Sequence, residues 1–218
     1  MRLIFATNNN HKLNEIKDIL GFKYSEVVYS LSDFNINIDP EENGKTFDEN
    51  ANIKSTAAFK ALKENNLLMV GDYIISDDTG LLIDYLNGAP GLYSARFMGD
   101  ISQKEKNIKI INLLKDCEDA KRTAHFETHL SVVEIKIDND IINMPTPMIF
   151  IGKMNGYIAK KLEGTEGFGY DPIFAVGNPC NIDKKITETY ASIGQDRKNK
   201  ISHRANALKM FIEYLEKK

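Results

Sequence analysis

Residues 76–97, SDDTGLLIDYLNGAPGLYSARF, follow directly on the apolar run Tyr73-Ile74-Ile75 and set two adjacent acids, Asp77 and Asp78, beside the hydroxyl of Thr79 and the small Gly80. A strand that delivers two acids reads as a carboxylate site at its end. Buried carboxylates held side by side repel, so they share a proton or bind a cation that neutralises both. A hard divalent metal meets that need. Residues 81–86 resume as strand or turn, and Asn87-Gly88-Ala89-Pro90-Gly91 has the composition of a tight loop.

Upstream, residues 3–6 read as a short buried strand, and Thr7-Asn8-Asn9-Asn10 breaks it before a helix whose Leu13, Ile16, Ile19 and Leu20 recur at helical spacing. Such a loop aims backbone N–H groups and the positive end of a helix dipole at one point, and Lys12 adds a full charge. It is a candidate phosphate cradle, set against the plainer reading of an Asn-rich helix cap. It matches neither GxxxxGK[ST] nor GxGxxG. Residues 26–30 read as a second strand. A polar loop containing Pro40-Glu41-Glu42 then leads to a capping box, Thr46 with Glu49. The helix it opens runs to about Asn65, with Phe47, Ala51, Ala58, Ala61 and Leu62 inward. Glu41 and Glu42 are either solvated loop charges or the source of one acid that reaches a metal.

Downstream, Ser102 and Glu105 form a second capping box before a helix made apolar by Ile108, Ile110, Ile111, Leu113 and Leu114. Residues 123–137 alternate at Phe126, Thr128, Leu130 and Val132 and read as a strand. Asp138-Asn139-Asp140 turns the chain into a partner over 141–151, where Pro145 and Pro147 mark an edge or bulge. His125 and His129 lie four apart on that strand and are expected to be surface or sheet residues, not ligands. Residues 164–174, GTEGFGYDPIF, group three glycines with Phe168, Tyr170 and Asp171. That composition suits close backbone approach to a ligand with a stacking face for a base, and equally an aromatic corner over the core. Residues 178–200 are polar and rich in Lys and Arg. Ser202 caps a last helix with an apolar stripe of Leu208, Phe211, Ile212 and Leu215. His203 and Arg204 occupy its first turn, where cations oppose the dipole, so an anionic ligand accounts for them better than helix stability does.

The 218 residues and 42% hydrophobic content suffice for a real core, as one large domain or two small lobes. A formal charge of −3 argues against a polyanion-coating or membrane-surface protein. The short apolar start and the lack of an 18-residue apolar stretch indicate no signal peptide or membrane span. Two cysteines without CxxC or His/Cys spacing fit a reducing, cytoplasmic compartment.

Thr7-x-Asn9-x-x-Lys12, Ser76-Asp77-Asp78-Thr79-Gly80-Leu81, the Asn87 to Gly91 loop, Tyr93-Ser94-Ala95-Arg96, Phe168-Gly169-Tyr170-Asp171-Pro172-Ile173-Phe174 and Ser202-His203-Arg204-Ala205 occur in this order. As a set they closely resemble the inosine triphosphate pyrophosphatase, or Ham1-like, family, from residue 3 to about 215. The resemblance implies an α/β fold of two lobes within a single domain over 1–218. It implies a long mixed β-sheet flanked by helices, an active-site cleft between the lobes, and a homodimer. It also implies Mg²⁺-dependent hydrolysis of deaminated purine nucleoside triphosphates (ITP, dITP, XTP) to the monophosphate and pyrophosphate, with Mn²⁺ as a candidate substitute and neither nucleic-acid polymer nor membrane as partner. Carried over by position, Thr7, Asn8, Asn9, Asn10, His11 and Lys12 hold the triphosphate. Asp78 binds metal and serves as base, and Glu41 is the second metal ligand. Thr79, Phe168, Gly169, Tyr170, Asp171, Lys198, His203 and Arg204 contact the nucleotide, with Lys200 the alternative to Lys198. Thr79 stands where a serine is frequent and Ala205 where a glycine is.

Three other readings compete. Asp78-Thr79-Gly80 spells the motif of aspartic proteases, but Asp77 precedes it, Leu81 follows it and no second copy exists. A noncatalytic nucleotide-binding or RNA-binding module leaves the paired acids without a purpose. A related pyrophosphatase for altered pyrimidines or ordinary nucleotides differs only in substrate.

Overall fold

The computed structural model describes residues 1–137, 142–177 and 188–218. In chain order they form β1 (Leu3–Phe5), α1 (Asn10–Tyr24), β2 (Val28–Ser30), α2 (Phe47–Glu64), β3 (Tyr73–Ile83), α3 (Gln103–Leu113), β4 (Thr123–Glu134), β5 (Met148–Ile158), β6 (Phe174–Val176), α4 (Gln195–Ile201) and α5 (His203–Glu216), with short 3₁₀ turns between. The strands make one six-stranded mixed sheet in the order β2-β1-β3-β4-β5-β6, so the fold is α/β. β1 runs parallel to both β2 and β3, while β5 and β6 are antiparallel.

The chain divides into two compact units. One comprises residues 1–78, 128–152 and 207–218, the other residues 79–127 and 153–206. β3, β4 and β5 each contribute to both. β3 changes over between Asp78 and Thr79, β4 between Glu127 and Thr128, and β5 between Gly152 and Lys153.

In the first unit the period-two alternation of strands sorts side chains onto two faces. Leu3, Phe5, Tyr73, Ile75, Leu130 and Val132 bury against Ile16 and Leu20 of α1 and Leu208 and Phe211 of α5. Ile4, Ile74, Val133 and Ile135 bury against Ala58, Phe59 and Leu62 of α2. α1 and α2 thus cover opposite faces. The second unit has its own core, in which Leu81, Ile83, Ile110, Phe126, Ile158, Tyr170 and Phe174 meet.

Three expectations change. β3 does not stop at the acids but continues through them to Ile83, so Asp77 and Asp78 lie in mid-strand. The partner strand starts only at Met148, with Pro145 and Pro147 in the non-strand stretch before it, where neither has to supply a ladder donor. Ser102 and Glu105 complete their capping box, whereas Glu49 turns its carboxylate back to the Lys45 N–H and leaves Thr46 to cap α2 alone. The expected turn at 138–140 and residues 178–187 of the polar stretch lie outside the described residues. No helix among the described residues is long and apolar enough to cross a membrane.

Candidate active site

The first group of site residues belongs to the first unit. Asn9 is the N-cap of α1, its side-chain oxygen accepting from the His11 N–H at 2.9 Å and the Lys12 N–H at 3.2 Å. Thr7 Oγ1 accepts from the Asn9 N–H at 3.1 Å, and the Asn8 amide donates to the Ile38 carbonyl at 2.9 Å. The loop is therefore fixed by its own side chains while Asn8, Asn9, Asn10 and His11 stay exposed at the positive end of α1, whose helical geometry breaks only at Gly21. Lys12 reaches inward and donates to the Asp77 carboxylate at 3.0 and 3.2 Å.

Strand alternation decides what the two acids do. Asp77 projects to the α1 face, where it meets Lys12. Asp78, one residue on, projects to the α2 face, where its Oδ2 accepts from Asn50 at 3.1 Å and its Oδ1 lies 3.7 Å from the Lys54 ammonium. The expected side-by-side pair is instead two carboxylates on opposite faces of one strand, each with its own helix-borne partners. Lys54 also pairs with Glu42 at 3.2 Å, so one ammonium stands between two carboxylates. Burial, with Glu42 and Asp77 adding to it, pushes the Asp78 carboxyl above the ordinary range, and Lys54 and Asn50 pull against that. Glu42, half-buried, is the loop acid brought to Asp78, whereas Glu41 is exposed and only its backbone carbonyl is engaged, accepting from Asn43.

Two carboxylates with only these oxygens fit a hard divalent cation that takes its remaining oxygens from substrate and water. Among the described residues no three His, Cys, Asp or Glu form a complete cage.

The second group belongs to the second unit and is organised by buried Asp171. Its Oδ2 accepts from the Lys198 ammonium at 2.7 Å and from the Phe168 N–H at 2.8 Å. The Lys198 ammonium lies 4.8 Å from the centre of the Phe168 ring, and Arg204 lies 6.0 Å from it. Lys198 is 1% exposed and Lys200 exposed, since two residues along a helix turn a side chain to the opposite face. Arg204, also buried, approaches the Thr79 hydroxyl at 3.5 Å. His203 stacks on Phe126, centroids 4.5 Å apart, within a cluster that includes Tyr190. Tyr170 is turned into the core with its hydroxyl donating to the Ser94 carbonyl at 2.7 Å, and burial pushes that phenol up to about 12. It buttresses the loop, whereas Phe168 is half-buried.

The Ham1 family model matches residues 3–214. The chain belongs to the Ham1 family. A relative from Thermoanaerobacter pseudethanolicus named dITP/XTP pyrophosphatase is 40% identical, the match covering 100% of this chain and 98% of that one. One of the same name from Bacillus subtilis is 41% identical over 98% and 96%. Solved Ham1 structures superpose along the whole chain. The Coxiella burnetii protein gives a TM-score of 0.77 at 32% identity, covering all of both chains. The Staphylococcus aureus protein gives 0.75 at 35%, covering 99% of this chain and 98% of that one.

In this Ham1 chain, reading α2 for its apolar face alone missed Asn50 and Lys54. Asn50 lies on the buried side of α2 with Ala51, Ser55, Ala58 and Leu62, and Lys54 follows it at i, i+4. His129, expected to be a sheet residue, is one, pairing through Nδ1 with Asp48.

The Asp171 hub sets a requirement on Gly167, whose φ is +77° and where an added Cβ would overlap Asp171 Oδ2. Gly167→Ala is expected to displace Asp171, cost about 1–3 kcal/mol of stability and weaken nucleotide binding. Urea denaturation with a binding titration measures both, and an unaltered titration would sink the hub.

Proposed function

We propose that the chain is a nucleoside triphosphate pyrophosphatase. It hydrolyses deaminated purine nucleotides (dITP, ITP, XTP) to the monophosphate and pyrophosphate, in the cytoplasm, as a homodimer in which residues 1–218 form one catalytic domain. The observation that carries the reading is Asp78, buried in mid-strand between Asn50 and Lys54, in a Ham1 chain matched along its full length by relatives named for this reaction.

Asp78 and Glu42 would hold the divalent ion, Mg²⁺ or Mn²⁺. Glu42 is preferred to Glu41 because Lys54 already ties it to Asp78. When bound, the ion supplies positive charge against the phosphates and makes a water easier to deprotonate. The chain supplies the rest. Residues 7–12 take the triphosphate on exposed loop groups and the helix N-terminus, and Lys12 adds charge at the leaving pyrophosphate. Asp78, whose burial raises its proton affinity, takes the proton of the attacking water. Phe168 offers the base a ring face. Arg204 and His203 donate toward a 6-oxo group, so a 6-amino base brings donor against donor, which can be worth on the order of 10⁴-fold in discrimination.

Pyrophosphate release from dITP, XTP, dATP, dGTP and dCTP tests this. Turnover is expected for the deaminated purines alone, to vanish with EDTA and to return with Mg²⁺ or Mn²⁺. Equal rates on dCTP or dATP would hand the site to the wider-substrate alternative, and light scattering checks the dimer.

A further inference from the structure

We infer that Asn107, backed by Gln103, is the positioning residue of the loop at 168–171, so that binding of the base, but not of the triphosphate, depends on it. The inference rests on the reading that this loop takes the base.

Asn107 is 2% exposed on α3, and both ends of its amide are used. Its Nδ2 donates to the Gly169 carbonyl at 3.0 Å, and its Oδ1 accepts from Gln103 Nε2 at 3.0 Å. Gly169 has φ +63°, a conformation open to glycine because it has no Cβ, and its carbonyl needs a partner to fix the peptide that follows. Asn107 is that hold. Asp171 accepts from the Phe168 N–H, so the peptide before Phe168 and the peptide after Gly169 are each held by a buried side chain.

The loop and α3 both hold the stretch at 94–95. Tyr170 donates to the Ser94 carbonyl, and Lys106, 7% exposed, donates to the next carbonyl along, Ala95, at 3.1 Å. Gln103 also bears on the Tyr170 hydroxyl. α3 thus presents Gln103, Lys106 and Asn107 as a polar ridge in an otherwise apolar core, and nothing in the reaction itself uses it. A buried side chain such as Asn107, whose amide donor ends on one loop and whose acceptor is itself held, acts by preorganising that loop, and small displacements of such a support are felt in binding. The triphosphate is taken by residues 7–12, which no bond of Asn107 touches.

The test compares dITP with ribose 5-triphosphate, which carries the phosphates without a base. In Asn107→Ala the KM for dITP is expected to rise about tenfold, the loss of one buried hydrogen bond of about 1.4 kcal/mol, with kcat within about twofold of wild type. Asn107→Asp puts an acceptor against the Gly169 carbonyl and is expected to raise KM further. In both variants kcat/KM for ribose 5-triphosphate stays at the wild-type value. Gln103→Ala, which leaves the donor in place but unsupported, is expected to give a smaller rise in the same direction, and it decides the matter if the Asn107 variants do not fold. An equal loss on both substrates, or no change on dITP, overturns the inference. Wild-type protein that shows the same KM for both substrates sinks the base-loop reading and the inference with it, whereas a loss confined to dITP in the variants supports both.

Discussion

Asp78→Asn is expected to lose about 10²–10⁴-fold in kcat and, without metal, to melt at a higher temperature than the wild type. The two effects have one cause. Asp78 is buried with Glu42 and Asp77 nearby, and its carboxyl sits above the ordinary range because burial disfavours the charge. A carboxyl raised in the folded state binds its proton more tightly folded than unfolded. Its ionisation therefore costs the fold nothing below the unfolded value near about 4, and the cost grows as pH rises through the folded value. Asparagine keeps the shape and removes that cost. The melting gain should be full at neutral pH and fade as pH falls toward about 4. Calorimetry in EDTA from pH 4 to 8, beside a turnover assay in Mg²⁺, measures both. A folded variant that retains turnover removes Asp78 from the chemistry, and one that melts lower at pH 7 contradicts the charge account.

The largest loss of stability is expected at Arg122, far along the sequence from any residue given a chemical role. Its guanidinium is 2% exposed and donates to three backbone carbonyls: Ile158 at 2.7 Å, Leu114 at 2.7 Å and Ala159 at 2.9 Å. Burial lowers its pKa from the usual value, yet the fork still satisfies the end of α3 and the end of β5 together. Leu114 is the C-cap of α3, where a cation also meets the negative end of the helix dipole. Arg122→Met removes every donor and leaves three buried acceptors, a loss of about 3–5 kcal/mol and a fall in melting temperature on the order of 10 °C. Arg122→Lys should recover only part, because one nitrogen cannot span the three positions. A fall below about 3 °C for Arg122→Met would mean that water replaces the fork.

Much of the fold was legible from residue pattern. The strand-loop-helix opening, the α2 and α3 caps and the stripe on α5 follow from spacing and local hydrogen bonding, which act over a few residues. The misreadings share a different origin. Two acids in the middle of a buried strand contradict every local preference, so the strand seemed to end there. It continues because Lys12, Asn50 and Lys54 arrive from helices distant in sequence to compensate each charge. In the same way Lys54 pairs with Glu42 and Asp171 with Lys198, contacts that the spacing of Glu41 and Glu42 or of Lys198 and Lys200 does not show. Tyr170 and Phe168 look alike as stacking candidates, and it is Ser94, 76 residues from Tyr170, that takes Tyr170 into the core.

The Lys12–Asp77 pair bears on how a nucleotide is caught and let go. A free lysine side chain loses about 1.5–2 kcal/mol of rotamer freedom when it is ordered. Here that loss falls during folding, since buried Asp77 already holds the ammonium at 3.0 Å. On the proposed assignment of Lys12, an arriving phosphate meets a cation already held toward Asp77, its charge partly compensated. Such a group adds to encounter and alignment more than to tight retention, which suits an enzyme that must release two anionic products after each turnover.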